Sequence, residues 1–141
     1  MPARRPLTVL LRLRGIEELR AAATAARAAR SVQQAVVAAE QARSNHLRRP
    51  LADQPLSPLQ LRAVQLQGMA TADMVEAADA ELVAMARERQ RAGRELTQAG
   101  SRRKSVERLV DRRTAEAALA AGRLAERASS DAHLLRRSRP E

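Results

Sequence analysis

The chain has no cysteine, phenylalanine, tyrosine or tryptophan among its 141 residues. Lack of cysteine excludes disulfides, thiolate catalysis and soft-metal sites, and fits a reducing cytoplasm. Aromatic side chains each bury about 150–250 Å² in an ordinary core, and that contribution is missing here. Stacking platforms for single-stranded nucleic acid are missing with them. The five glycines stand apart at positions 15, 68, 93, 100 and 122, so no Gly-rich phosphate loop exists. No apolar run approaches the ~20 residues that a membrane span needs. His46 and His133 are the only imidazoles and are far apart in sequence. We read both as solvated, with no metal-ligand partner nearby. The acidic pairs Glu17/Glu18 and Asp79/Glu81 lie among polar residues and read as solvated helix faces. The sequence therefore offers no catalytic residue, no cofactor site and no metal site.

What remains is dominated by Ala, Leu, Arg, Glu and Gln, good helix formers because they lose little rotamer freedom in a helix. Such a composition belongs to long helices and coiled coils. Helical character is unbroken from Thr8 to about Arg137 except at Pro50, Pro55 and Pro58. Proline lacks a backbone donor and restricts the residue before it, so no helix passes through that stretch.

The expected first helix runs over about 8–44, with an apolar stripe through Leu13, Ile16, Leu19, Ala23, Ala26, Ala29, Val32, Val36 and Ala39. Gly15 weakens it by about 1 kcal/mol relative to Ala. A turn occupies 45–57. Ser57 then suits an N-cap, with Pro58 in the first helical position and Gln60 three residues after the serine, a capping-box pattern.

The second helix is expected over about 58–137. Heptads counted from Leu61 place 15 of 22 inner positions, through Leu134, on Ala, Val, Leu or Met without a skip. A sustained 3.5-residue period is the mark of a coiled coil. A short turn makes the two helices antiparallel neighbours. At about 1.5 Å per residue they would be about 55 and 115 Å long, so the first would cover half of the second. The expected fold is all-α: one domain over 1–141, an antiparallel two-helix coiled coil with a longer, projecting second helix. Arg89, Arg103, Arg113 and Arg127 interrupt the inner positions, and the expectation is that all four lie beyond the first helix and need no counter-ion.

The formal charge is +10, and both ends are basic while residues 51–100 are mildly acidic. Basic ends can steer a protein to nucleic acid, anionic lipid or an acidic protein. Of 26 basic residues, 25 are arginine, suited to paired contacts with phosphate or carboxylate. No zinc-finger, helix-turn-helix or RNA-recognition pattern accompanies them. Away from the inner positions, Leu59, Leu66, Met69, Met74 and Val83 form an outward apolar strip, a candidate contact site. At the N-terminus, MPARRPLTVLLRLRG has charge followed by apolar residues. Arg12 and Arg14 cut the apolar run short and no small-residue cleavage site follows, so we expect a soluble protein with an intact N-terminus.

Two stretches carry a family likeness. TVLLRLRGIEELRAAA, Thr8–Ala23, resembles the opening helix of the FliJ family, small coiled-coil proteins of the flagellar type III export apparatus. DRRTAEAALAAGRLAERASSDAHLLRR, Asp111–Arg137, resembles that family's terminal segment, and RRKSVERLV, Arg102–Val110, has its basic-then-heptad look. The chain departs from the family in its Pro-rich turn, its missing aromatics and its Ala/Arg content. The resemblance implies a non-enzymatic protein-export component of bacterial flagellar biogenesis and motility, cytoplasmic and peripheral at the cytoplasmic face of the membrane. It implies a stalk whose helix ends enter the hexameric export ATPase, promoting ring assembly and activity. It further implies contact with the export gate membrane protein and with export chaperones. On that basis Arg12, Arg14, Arg112, Arg113 and Arg123 are expected to contact the ATPase ring, and Leu59, Leu66 and Met69 the gate or a chaperone. No small-molecule substrate is implied. Two alternatives stand beside this: a basic coiled-coil nucleic-acid-binding protein, and a self-associating structural rod.

Overall fold

A computed structural model describes residues 4–48 and 55–137. They form two helices and no strand: α1, Arg4–Leu47, and α2, Pro58–Arg137. α1 is one turn longer than expected at its start and three residues longer at its end. The turn is correspondingly shorter, and its Pro50 lies outside the described residues. The start of α2 is capped as its sequence suggests. The Ser57 N–H donates to Gln60 Oε1 at 2.9 Å, and the Gln60 N–H donates to Ser57 Oγ at 3.3 Å. Two donors that the helix start leaves unpaired are thereby satisfied reciprocally.

The helices pack against each other in two units. One comprises residues 19–98. Here Arg43 pairs with Asp79, and His46 Nδ1 lies 2.9 Å from Thr71 Oγ1. α1 numbers fall as α2 numbers rise, so the helices are antiparallel. Buried side chains in this unit are Ala28, Ala35, Ala39 and Ala92. An alanine seam gives little apolar area per residue and works by letting two backbones approach closely, with dispersion contacts filling the gap.

The other unit comprises residues 1–18 with 99–141. Ala99 is its buried residue, and Leu7, Leu10 and Leu11 on α1 and Val106 and Val110 on α2 are half-buried. Between these apolar levels lies a polar one. Arg103 Nε stands 2.9 Å from Glu18 Oε2 across the helices, and Arg103 Nη2 stands 4.0 Å from Glu107 one turn on. The Nε–H points off the line to Glu18, leaving Nε buried without an aligned hydrogen bond. The contact is therefore a charge pair rather than a directional bond. Gly100 leaves room for it, since a Cβ there would sit 3.2 Å from Glu18 Oε1.

The α2 register agrees with expectation. Val64, Gly68, Thr71, Val75, Ala78, Leu82, Met85, Ala92, Leu96, Ala99, Arg103, Val106 and Val110 are all buried or half-buried. Up to Val110 the exposed exceptions are Leu61 and Arg89; beyond it Arg113, Ala120, Leu124, Arg127 and Asp131 of the expected row are exposed and Ala117 is half-buried.

The α1 register differs from expectation. Its inner row is Leu7, Leu11, Arg14, Glu18, Ala21, Ala25, Ala28, Val32, Ala35, Ala39, Ala42 and His46, all buried or half-buried and spaced alternately by four and three. Leu13, Ile16, Leu19, Ala23, Ala26 and Ala29 are exposed. Of the expected stripe, Val32, Val36 and Ala39 do lie inward. Alanine fills every place of the inner row from 21 to 42 except Val32, and Leu7 and Leu11 fill it near the start of α1.

Three further expectations are corrected. Arg103 has a counter-ion, and with Arg89 it lies where α1 accompanies α2. Coverage also exceeds half of α2. Arg4 stands fourteen residues before Glu18, and Ala117 fourteen after Arg103. Ala117 is half-buried, and everything else in 111–131 is exposed. Finally, His46 is not a solvated turn residue but part of the last turn of α1. Thr71 Oγ1 lies within hydrogen-bond distance of both His46 Nδ1, at 2.9 Å, and the Gly68 carbonyl, at 3.1 Å, which ties the last turn of α1 to α2. The His133 side chain lies outside the described ones.

Candidate protein-interaction surfaces

Helix geometry alone positions the arginines of the basic unit. Arg12 falls two places before Arg14, so the first points outward while the second joins the inner row. Arg14 Nη1 donates to Glu17 Oε2 at 2.7 Å, and its Nε is buried without a partner. Its charge is thus already partly engaged. Arg112, Arg113 and Arg123 on α2 are exposed and make no ion pair among the described residues. A shallow groove of about 440 Å³ runs along α2 past Arg123, Glu126, Arg127, Ser130 and Asp131. An unpaired guanidinium on an open helix face keeps all five donors for a partner's carboxylate or phosphate. Four of the five arginines expected to act together, Arg12, Arg112, Arg113 and Arg123, are exposed and make no ion pair among the described residues, while Arg14 pairs with Glu17 on its own helix.

Leu59, Leu66 and Met69 belong to the other unit. All three are exposed on α2, as are Met74 and Val83. Leu59 and Leu66 are one heptad apart, and Met69 is three residues on, which keeps them near one outer face. A groove of about 550 Å³ opens elsewhere in this unit, between Thr24 and the α2 residues Met85, Glu88, Arg91 and Ala92. The Thr24 hydroxyl in it donates to the Arg20 carbonyl at 3.0 Å, and among the described residues no three His, Cys, Asp or Glu side chains could hold a metal ion. No described helix is long and apolar enough to cross a membrane.

One surface escaped the sequence reading because two of its residues, Leu13 and Ile16, were assigned to the inner stripe. Val9, Leu13 and Ile16 are 63, 50 and 47% exposed, in an outward row on α1. Their spacing of four and three was legible as a helix face. That it is the outer face was not, since the alanine row beside it has the same period. Comparison with known protein families, with characterised proteins and with solved structures finds no match for this chain.

Proposed function

We propose that this protein is a non-enzymatic stalk of the flagellar type III export apparatus, similar to the FliJ family, that docks on the export ATPase ring. The observation that supports this most is the C-terminal part of α2. Beyond Ala117 it carries a helix exposed to solvent all round through Asp131, on which Arg123 makes no ion pair among the described residues. A single amphipathic helix presenting unpaired guanidinium groups suits the pore of an oligomer lined by carboxylates. Arg112, Arg113 and Arg123 would make the ring contacts, aided by Arg12. Arg14 would serve chiefly by pairing with Glu17. The exposed Leu59, Leu66 and Met69 would meet the export gate or a chaperone, and the protein would work at the cytoplasmic face of the membrane.

The test is hydrolysis by the purified flagellar export ATPase of the same organism, with and without this protein, at two salt concentrations. Stimulation at substoichiometric amounts, with hexamer formation, is expected. Changing Arg112, Arg113 and Arg123 together to Gln should abolish it. No stimulation and no co-elution would end the proposal. Affinity for nucleic acid that persists without the ATPase and falls steeply with salt would favour the rival reading. Polar substitutions at Leu59, Leu66 and Met69 should weaken gate or chaperone binding while leaving ATPase stimulation in place.

A further inference from the structure

We infer that the outer face of the first turns of α1, formed by Val9, Arg12, Leu13 and Ile16, binds an anionic membrane surface. The inference does not rest on the ring contact proposed above. Three large aliphatic side chains at i, i+4 and i+7 are about half-exposed or more, with an exposed arginine among them. The two carboxylates nearby do not reach that face. Glu18 belongs to the inner row and pairs with Arg103, while Glu17 is half-buried beside that row and pairs with Arg14. Glu18 is thus turned to the seam by pairing across the helices and Glu17 is countered by Arg14 on its own helix, which leaves the outer face apolar and basic. The sequence of residues 4–18 and 99–137 reinforces this, with fourteen basic and seven acidic side chains, a formal +7.

A helix of this kind lies in the membrane interface, aliphatics toward the acyl boundary and arginines at the headgroups. Each cationic side chain near such a surface contributes about 1 kcal/mol of attraction. Other occupants fit less well. A standard protein interface buries about 800 Å² on each partner, far more than three side chains on a convex helix supply. A second copy meeting this face symmetrically would bring Arg12 toward Arg12 and two +7 units together. A nucleic acid would leave Val9, Leu13 and Ile16 against phosphate.

The experiment is co-sedimentation of the full chain with phosphatidylcholine vesicles, with and without phosphatidylglycerol at about one lipid in three, at low salt and at about 0.5 M. Binding is expected only to the anionic vesicles, and it should fall with salt. Arg12→Gln should weaken it about fivefold, the equivalent of one surface cation. Leu13→Gln with Ile16→Gln should weaken it at least about tenfold. Circular dichroism should show these variants still folded, because the side chains lie outside the seam. Val9→Gln provides an independent third probe. Leu59→Gln with Leu66→Gln, in the other unit, should leave vesicle binding unchanged. No binding, equal binding to neutral vesicles, or full binding by the Leu13/Ile16 variant would overturn the proposal. So would loss of binding in the Leu59/Leu66 variant. A concentration-dependent mass abolished by the Leu13/Ile16 changes would also overturn it, assigning the face to a second copy.

Discussion

The charge pair between Glu18 and Arg103 should be measurable as a coupling and should be small. The two side chains retain 31 and 41% of their exposure, so water screens them. Exposed pairs contribute about 0.2–1 kcal/mol, whereas breaking a fully buried pair costs about 3–5. The Arg103 Nε–H is not aligned on Glu18, which removes the advantage of a charge-assisted bond. Glu107 stands 4.0 Å from the other side of the same guanidinium and offers it a second partner. We therefore expect a coupling of about 0.5–1 kcal/mol, near the upper end for exposed pairs because both groups face the seam. The perturbation is a double-mutant cycle of Glu18→Gln and Arg103→Gln, read by urea unfolding and far-ultraviolet circular dichroism. Glu18→Gln should be the milder change, since Arg103 keeps Glu107, while Arg103→Gln leaves both carboxylates without it. In about 1 M salt, where the screening length is about 3 Å, the coupling should fall to less than half. A coupling above about 2 kcal/mol would show that the pair behaves as buried. A coupling indistinguishable from zero at low salt would show that Arg103 occupies its seam position for its methylene stem alone.

Five other substitutions probe the seam and the cap. Gly93→Ala should stabilise the fold by about 1 kcal/mol, because a Cβ there meets nothing within 4 Å. Gly100→Ala should give less, since its Cβ would press on Glu18 Oε1, and equal gains in urea midpoint would remove the special role of that glycine. Ala39 is 1% exposed, so Ala39→Leu should cost about 1–3 kcal/mol by forcing the helices apart. A rise in melting temperature would instead mean that the seam holds unfilled space. Ser57→Ala should cost about 1 kcal/mol through loss of the cap on Gln60 N, and Gln60→Ala less; an unchanged melting curve for Ser57→Ala would show that α2 starts independently of it.

The two helices were not equally legible, and the cause lies in which side chains fill the seam. On α2 the inner row holds branched or long aliphatics at Val75, Leu82, Leu96, Val106 and Val110, and the outer faces of that stretch hold mostly charged and polar residues. Period and hydrophobicity point to the same face, so its register could be counted from Leu61. α1 carries two rows with the same period. Val9, Leu13 and Ile16 are larger than the alanines at 21, 25, 28, 35, 39 and 42, and a reading weighted by hydrophobic size selects the wrong one. Over 21–42 packing selects the smaller, because a row that is alanine at six of its seven positions admits a neighbouring backbone closely, whereas in the first turns the inner places go to Leu7, Leu11, Arg14 and Glu18. Charge was the available clue. Arg14 and Glu18 lie in register with those alanines, and Arg103 breaks the α2 row at the level where antiparallel pairing brings Glu18. Read together, a carboxylate in one row and a guanidinium in the other would have fixed both registers. The exposed arginines were easier to anticipate than the exposed aliphatics, since a charged side chain has its place in water on almost any helix. An aliphatic row left outside a seam has no such reason, and that makes Val9, Leu13 and Ile16 the more informative residues about what this protein meets.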